Sequence, residues 1–489
     1  MGIVIKQSIK NTITTFLGFG IGALNTLFMY PYFLGKDYFG LTGYVLSAAN
    51  ILYPIMSFGI QNTLIKFFNE NNKTEQELNS YITYMLLVPL FFIAPLMVLF
   101  YFFYDTIAAY ESQQNPVIYP FVWIIPIIGI FMGYFEIFYA WLRAHMKSVF
   151  GSFVKEVFIR ILITLLLFGV YFEYITPSDF IYSLVLVYGI SLLLIVFYAN
   201  KVKRIVLHFK IPKQSKSILT YTVFIILSAS IANMLLDIDK YMIKHYMKID
   251  NIAYYSVAIF IAMVISVPSR AMHQITYPIT AKLMSENKWQ ELNDLYKKSS
   301  ITLQVVGGLI LLGILVNINQ LYLMLPAEYS QGLFVVFTIG LSKYFDLILG
   351  NNNAIIFNSK YYRTVLILGL LLVVLIVLLN MYFIPNFGLN GAAIATLISI
   401  TLYSLAKLLF VVLKMKLFPF TKNTIVALIL AIVSFGVFYY WDFSFHPFIN
   451  IVLKSILVTI FYLGLSYYLK ISSDINFVMN SVFKRIWKK

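Results

Sequence analysis

Apolar residues in this chain fall into long runs separated by short polar stretches, and the runs are longer than the buried helices of a soluble domain need. Fourteen stretches reach about 20 residues or more, at roughly 11–33, 39–65, 80–104, 118–142, 151–173, 178–200, 217–244, 251–280, 299–323, 332–356, 363–384, 388–412, 422–441 and 448–470. A helix rises about 1.5 Å per residue, so each run can cross a hydrocarbon layer of about 30 Å. The pattern predicts an all-α polytopic membrane protein with about 14 transmembrane helices. Only Leu34-Gly35-Lys36-Asp37 divides the first two runs. Met1–Lys10 carries Lys6 and Lys10 and enters the first run without an A-x-A-like cleavage site, so it is expected to be kept as a helix and not removed as a signal peptide.

Composition agrees with lipid as the solvent: 61% of the residues are hydrophobic and 11% charged. A net charge of +16 would suggest nucleic acid in a soluble protein. Here the Lys and Arg residues lie between the apolar runs, and on one side of the membrane. Lys201, Lys203, Arg204, Lys210, Lys213 and Lys216 share one loop, Lys282, Lys288, Lys297 and Lys298 another, both on the side of Lys6, Lys10 and the C-terminal tail. The opposite connections, near 105–117, 174–177, 324–331, 385–387 and 442–447, contain none; Lys36 and Lys248 are the loop exceptions. Basic loops stay in the cytoplasm, so both termini are expected there, and no nucleic-acid partner is needed. The absence of cysteine excludes disulfides, thiolate metal sites and a Cys nucleophile, and the five histidines have no H-x-x-x-H spacing, so no metal or cofactor is expected.

The chain also repeats itself. Gln76-Glu77-Leu78-Asn79 recurs as Gln290-Glu291-Leu292-Asn293, Pro54 recurs as Pro268 at the same offset, and Lys147 has its counterpart in Lys360. These positions predict two six-helix lobes in parallel pseudo-repeat, 1–216 and 217–412, then helices 13 and 14 over 413–470 and a basic amphipathic tail over 471–489. Parallel repeats place a substrate path at their interface. The tail reads as a helix lying in the headgroup region.

Ionisable groups deep in the bilayer cost about 2.5–3.5 kcal/mol on insertion scales, which makes them functional candidates. Lys343 and Asp346 fall near the midplane in the tenth run, Arg160 near the midplane of the fifth with Glu156 one turn before it, and Glu136 in the inner half of the fourth. The competing reading is that Lys343–Asp346 and Glu156–Arg160 are helical pairs that only fix packing. Arg270 lies between Pro268 and Pro278, where a kink can expose backbone to a cavity, or else simply flanks the basic side. Asp237-Ile238-Asp239 has the D-x-D form of glycosyltransferase metal sites, but no other acid cluster supports it; pairing of Asp237 with Lys240 near the outer surface, as part of a gate, fits better. Amides within the runs, including Asn62 and Asn233, could line a wet cavity or bond between helices.

Pro385-Asn386-Phe387-Gly388-Leu389-Asn390-Gly391-Ala392-Ala393-Ile394-Ala395-Thr396 resembles the P-x-x-G-x-x-G-A-A-x-A-T stretch of the polysaccharide, or oligosaccharidyl-lipid, flippase branch of the MOP exporter superfamily. Asp239-Lys240-Tyr241 followed by Ala253-Tyr254-Tyr255-Ser256-Val257-Ala258 is similar to that branch's seventh-to-eighth helix junction. The first run lacks the arginines of peptidoglycan-lipid flippases and the acid of some MATE antiporters. The resemblance implies a non-enzymatic flippase that exports a polyprenyl-diphosphate-linked oligosaccharide across a prokaryotic cytoplasmic membrane. Membrane lipids and other polysaccharide-assembly proteins would be its partners. Within that reading Arg160, Arg270, Lys343, Asn62 and Asn233 are expected to bind substrate, and Glu136, Asp346, Asp237 and Lys240 to serve coupling or gating. A MATE-like antiporter of cationic drugs is the alternative within the superfamily, because deep acids and bases are balanced here. A membrane polymerase or ligase is the alternative from another class, set against short outer loops that hold no acid pair or histidine cluster.

Overall fold

The computed structural model describes residues 2–486, without the side chains of 2–6, 8, 9, 224, 225, 227–236, 271, 274, 362, 366, 482, 483, 485 and 486. Regular structure among the described residues is entirely helical. The helices are α1 (Gly2–Leu24), α2 (Gly35–Met56), α3 (Ile60–Asn71), α4 (Glu75–Phe102), α5 (Tyr104–Ser112), α6 (Ile124–Ala144), α7 (Ser148–Phe153), α8 (Ile159–Tyr171), α9 (Pro177–Val202) and α10 (Ser215–Tyr246). They continue with α11 (Asp250–Met263), α12 (Val267–Ser285), α13 (Trp289–Leu315), α14 (Ile318–Tyr322), α15 (Leu333–Ile348), α16 (Asn352–Asn358), α17 (Tyr362–Phe410), α18 (Lys422–Tyr439), α19 (Pro447–Tyr468) and α20 (Ser473–Ile486).

Among the described residues, ten helical stretches are long and apolar enough to cross a membrane, and two of them, Lys10–Asn71 and Arg363–Met415, are 62 and 53 residues long. A pass takes about 20 residues, so each of these holds two passes. The first reverses at Gly35 (φ 76), directly after a π-helical turn over Asn25–Leu34. The second reverses at Gly388 (φ 57, ψ −135), a conformation open to glycine and costly to any residue with a Cβ, inside the P-x-x-G-x-x-G segment. The fifth run is interrupted by a π-turn over Val154–Phe158, and the seventh, α10, contains the undescribed side chains. With those two included, the fourteen apolar runs correspond to fourteen passes of a multi-pass membrane protein.

The chain forms two compact units, residues 1–256 and 257–489. In the first, α10 packs lengthwise on α2, so this unit extends past the sequence-repeat boundary at 216. Its largest described core lies toward the basic ends of α3, α4, α6 and α9, where Leu64, Tyr81, Ile137, Trp141 and Ala199 are at most 1% exposed. Tyr81 donates to the carbonyls of Thr63 and Leu64, which a break at Phe58 and Gly59, both with positive φ, leaves near the start of α3. In the second unit α18 and α19 pack on α13 through Val305, Leu312, Ala427, Val458 and Tyr462. Large apolar side chains such as Phe91, Phe102, Leu193 and Phe197 stand exposed along the outside, where lipid is their natural solvent.

The repeated prolines mark equivalent irregularities. Pro54 precedes the break between α2 and α3 by a few residues, and Pro268 follows the 3-10 turn Val264–Ser266 that joins α11 to α12. A proline removes an N–H donor and crowds the preceding turn, which fits the 3-10 turn before Pro268, whereas the break after Pro54 falls at Phe58 and Gly59, both with positive φ.

Candidate functional site

In the first unit, Arg160 sits where α1 comes unusually close to α7 and α8. A Cβ on Gly18 would lie 2.2 Å from the Glu156 carbonyl oxygen, and one on Gly22 would lie 3.3 Å from the guanidinium of Arg160. Small residues on α1 are what allow the approach. Asn25 donates to the Arg160 carbonyl (3.2 Å), and Thr164 donates to Asn25 Oδ1 (2.9 Å), so a polar bridge fixes the register of the two helices. The guanidinium stands 3.6 Å from Glu156, with both side chains 29% exposed. That separation is longer than a charge-assisted hydrogen bond of about 2.7–2.9 Å, so Glu156 supplies charge balance without clamping the arginine. Tyr30 and Tyr188 lie within electrostatic range of Arg160, and Tyr188 within range of Asp237 too. A leucine at Gly22 is therefore expected to displace the guanidinium and to lower transport at least about tenfold, whereas Gly22→Ala needs a shift of only a few tenths of an ångström; transport assays on equal amounts of membrane-inserted protein separate the two.

Other candidates in this unit are already engaged. Lys155 donates to Glu136 at 2.5 Å, across from α6 to the π-turn. Asp237 pairs with Lys240 at 3.6 Å and accepts from Ser47 of α2 at 2.9 Å. Asn62 is half-buried on α3, beside a buried Gln61 that accepts from Ser57. Asn233 lies on α10 with its side chain outside the described residues. One turn past Lys240, the buried Lys244 forms an ion pair with Glu111 of α5, and Tyr44 (2.5 Å) and Tyr241 (2.8 Å) donate to the same carboxylate. Burial opposes ionisation of Glu111, but the bonds from Lys244, Tyr44 and Tyr241 outweigh it and hold the carboxyl below its ordinary range. On the carboxylate side the clasp therefore stays intact at neutral pH and loosens as pH falls through that depressed value. Sequence reading missed Glu111 and Lys244 as partners because 133 residues separate them.

In the second unit Lys343 and Asp346 line a cavity of about 100 Å³ together with Ser266, Ser269, His273, Asn353 and Lys407. Asp346 finds its close cation on another helix: Lys407 Nζ is 3.0 Å away, and Ser404 donates to the same oxygen at 2.9 Å. Asp346 thus has a close cation from another helix besides Lys343 on its own. Lys407 is 2% exposed, also donates to Asn353 (3.2 Å), and lies 4.3 Å from the centre of the Tyr403 ring. It was overlooked because it stands near the basic end of its run, where a lysine ordinarily flanks the membrane; its signal was position inside the apolar stretch, three residues after Ser404. Arg270 is exposed on α12 and is not among the residues lining this cavity.

Helices of bilayer length that carry cations and ion pairs within their apolar runs define a multi-pass membrane protein with polar sites among its helices. Solved structures with this fold include lipid II flippase MurJ in an inward closed conformation, with TM-score 0.75 and 16% identity over 95% of this chain and 100% of that one. An inward-facing multidrug resistance MATE family transporter of the MOP superfamily matches with TM-score 0.61 and 14% identity, over 82% of this chain and 93% of its own. A MOP superfamily transporter from Pyrococcus furiosus matches with TM-score 0.57 and 14% identity, over 83% and 94%. The fold is thus that of the MOP superfamily. The chain belongs to the polysaccharide biosynthesis protein family, whose model matches residues 6–284. None of the curated protein sequences is similar to it.

Proposed function

We propose that this transporter moves a polyprenyl-diphosphate-linked oligosaccharide from the inner to the outer leaflet of a prokaryotic cytoplasmic membrane by alternating access, with both termini in the cytoplasm. The carrying observation is Arg160, a partly exposed guanidinium within an apolar run, packed against Gly22 of α1 and 3.6 Å from Glu156. Such a group attracts a diphosphate, and hydrocarbon alone would exclude both partners. Lys343, in its own polar cavity, offers a second cation, and Arg270 a third nearer the basic side. Asn62 and Asn233 would bond to sugars, and Glu136, Asp346, Asp237 and Lys240 would take part in coupling or gating. Membership of a polysaccharide biosynthesis family supports the substrate class. The extent of the likeness to the lipid II flippase points the same way: the 5% of this chain left out is roughly 24 residues, fewer than follow residue 412, so part of helices 13 and 14 is included.

Membrane potential would assist. Two negative charges moving outward gain about 4.6 kcal/mol per 100 mV, at about 2.3 per charge. Deleting the gene is expected to trap lipid-linked oligosaccharide on the cytoplasmic leaflet and to remove surface polysaccharide, with drug susceptibility unchanged; leaflet-specific labelling of the glycan reads this out. Persistence of polysaccharide together with accumulation of cationic dyes would replace the flippase reading by MATE-like antiport.

A further inference from the structure

On the basic side of the second unit, away from Lys343 and Asp346, a cavity of about 670 Å³ opens among residues 297–301 of α13, the starts of α18 and α20 and the end of α19. Lys297, Lys298, Lys422 and Lys470 line it, and no carboxylate does. Among the described residues none of these four lysines stands within ion-pairing distance of an acid. Asp474, in the first turn of α20, is turned to Thr302 (3.2 Å) instead.

The fold holds the lysines together against their mutual repulsion. Only the four residues Leu469, Lys470, Ile471 and Ser472 are left between α19 and Ser473, the first residue of α20. Ile471 and Ser472 are 2% exposed, Ile471 within the α13/α18/α19 core, and Lys470 takes a left-handed backbone (φ 50) that turns the chain back. Asn423, at the start of α18, donates to the Ile471 carbonyl at 2.8 Å and so ties this turn to Lys422. The N-terminal ends of α18 and α20 add their positive ends to the same space.

Depth favours a lipid as the source of the anion. α20 carries Phe477 and Val478 on its exposed face, 75% and 55% exposed, opposite the groups that pack on α13 and α19. A helix of that kind lies at the level of the headgroups. We infer that this cavity binds the phosphate-bearing headgroup of an anionic phospholipid, with Lys298, Lys422 and Lys470 as its principal cations. The inference does not depend on which substrate the transporter carries.

Native mass spectrometry of the full chain released from nanodiscs of equal phosphatidylglycerol and phosphatidylcholine tests it. Phosphatidylglycerol should remain bound to the wild type, and its apparent affinity should fall about fivefold for each lysine replaced in Lys298→Gln, Lys422→Gln, Lys470→Gln, as expected of a cation at an anionic surface. The control Lys201→Gln, Lys213→Gln, Lys216→Gln, which removes the same charge from a loop of the first unit, should retain the lipid, as should Lys422→Arg with Lys470→Arg. Equal loss in both triple variants would reduce the effect to general surface charge and overturn the site. So would full retention in the first. Inorganic pyrophosphate added to pure phosphatidylcholine nanodiscs is expected to leave thermal stability unchanged; stabilisation there, lost in the first triple variant, would make the ligand a free phosphate compound and overturn the lipid assignment.

Discussion

Arg160→Gln is expected to abolish transport while leaving folded protein in the membrane. Removing one member of a desolvated charge contact costs about 2–5 kcal/mol, which is at least about thirtyfold in flux at subsaturating substrate. Arg160→Lys should recover part of it, because the Coulomb attraction survives while the bidentate geometry is lost. A purely structural arginine behaves differently. If its role is to neutralise Glu156, at 3.6 Å one turn away, then Glu156→Gln combined with Arg160→Gln should restore transport. Flux of a fluorescent lipid-linked glycan in reconstituted vesicles, normalised to folded protein, decides the matter, and recovery in the double variant would sink the substrate role.

The second large effect concerns Asp346 and Lys407, and it is expected to be asymmetric. The Lys407 side chain is 2% exposed, whereas that of Asp346 is 43% exposed toward its cavity. Asp346→Asn leaves a buried ammonium without its carboxylate and should cost about 3–5 kcal/mol. Lys407→Met leaves a carboxylate that cavity water and Ser404 can still solvate, so about 1–2 kcal/mol is expected. The combination Asp346→Asn with Lys407→Met should regain most of the lost thermal stability, measured by unfolding in detergent. Lys343→Met should destabilise less than Asp346→Asn and lower transport, which separates binding from structure within one cavity. Equal destabilisation by all three single changes would refute this division of roles.

Much of the architecture follows from local patterns that any tertiary arrangement must respect. Each apolar run is long enough to cross lipid, and a backbone in lipid has to satisfy its own hydrogen bonds, so helices and their number were legible from the residues alone. The connection next to Gly388 and a kink at Pro268 were legible for the same reason, since glycine and proline act on the backbone of their own turn, whereas the break at Phe58 and Gly59 inside the run 39–65 was not. Depth along a run is set by the 1.5 Å rise per residue, which is why Arg160, Lys343 and Asp346 stood out.

Partnership was another matter. Spacing along one helix places Lys343 near Asp346, but it gives no sign of Lys407, 61 residues away, whose ammonium donates to the same carboxylate. Glu136 is met by Lys155, 19 residues on, and Glu111 by Lys244. The lysine-lined cavity draws on α13, α18, α19 and α20, with Lys297 and Lys470 far apart in the chain. Which helices touch is decided by where small residues such as Gly18 and Gly22 let backbones approach and by where π-turns rotate a side chain out of its expected row. The sequence by itself determined a fourteen-pass helical chain and the depth of its charges. Only the tertiary structure decided which charge answers which, because Coulomb and hydrogen-bond energies depend on distances of 3–4 Å that packing alone sets.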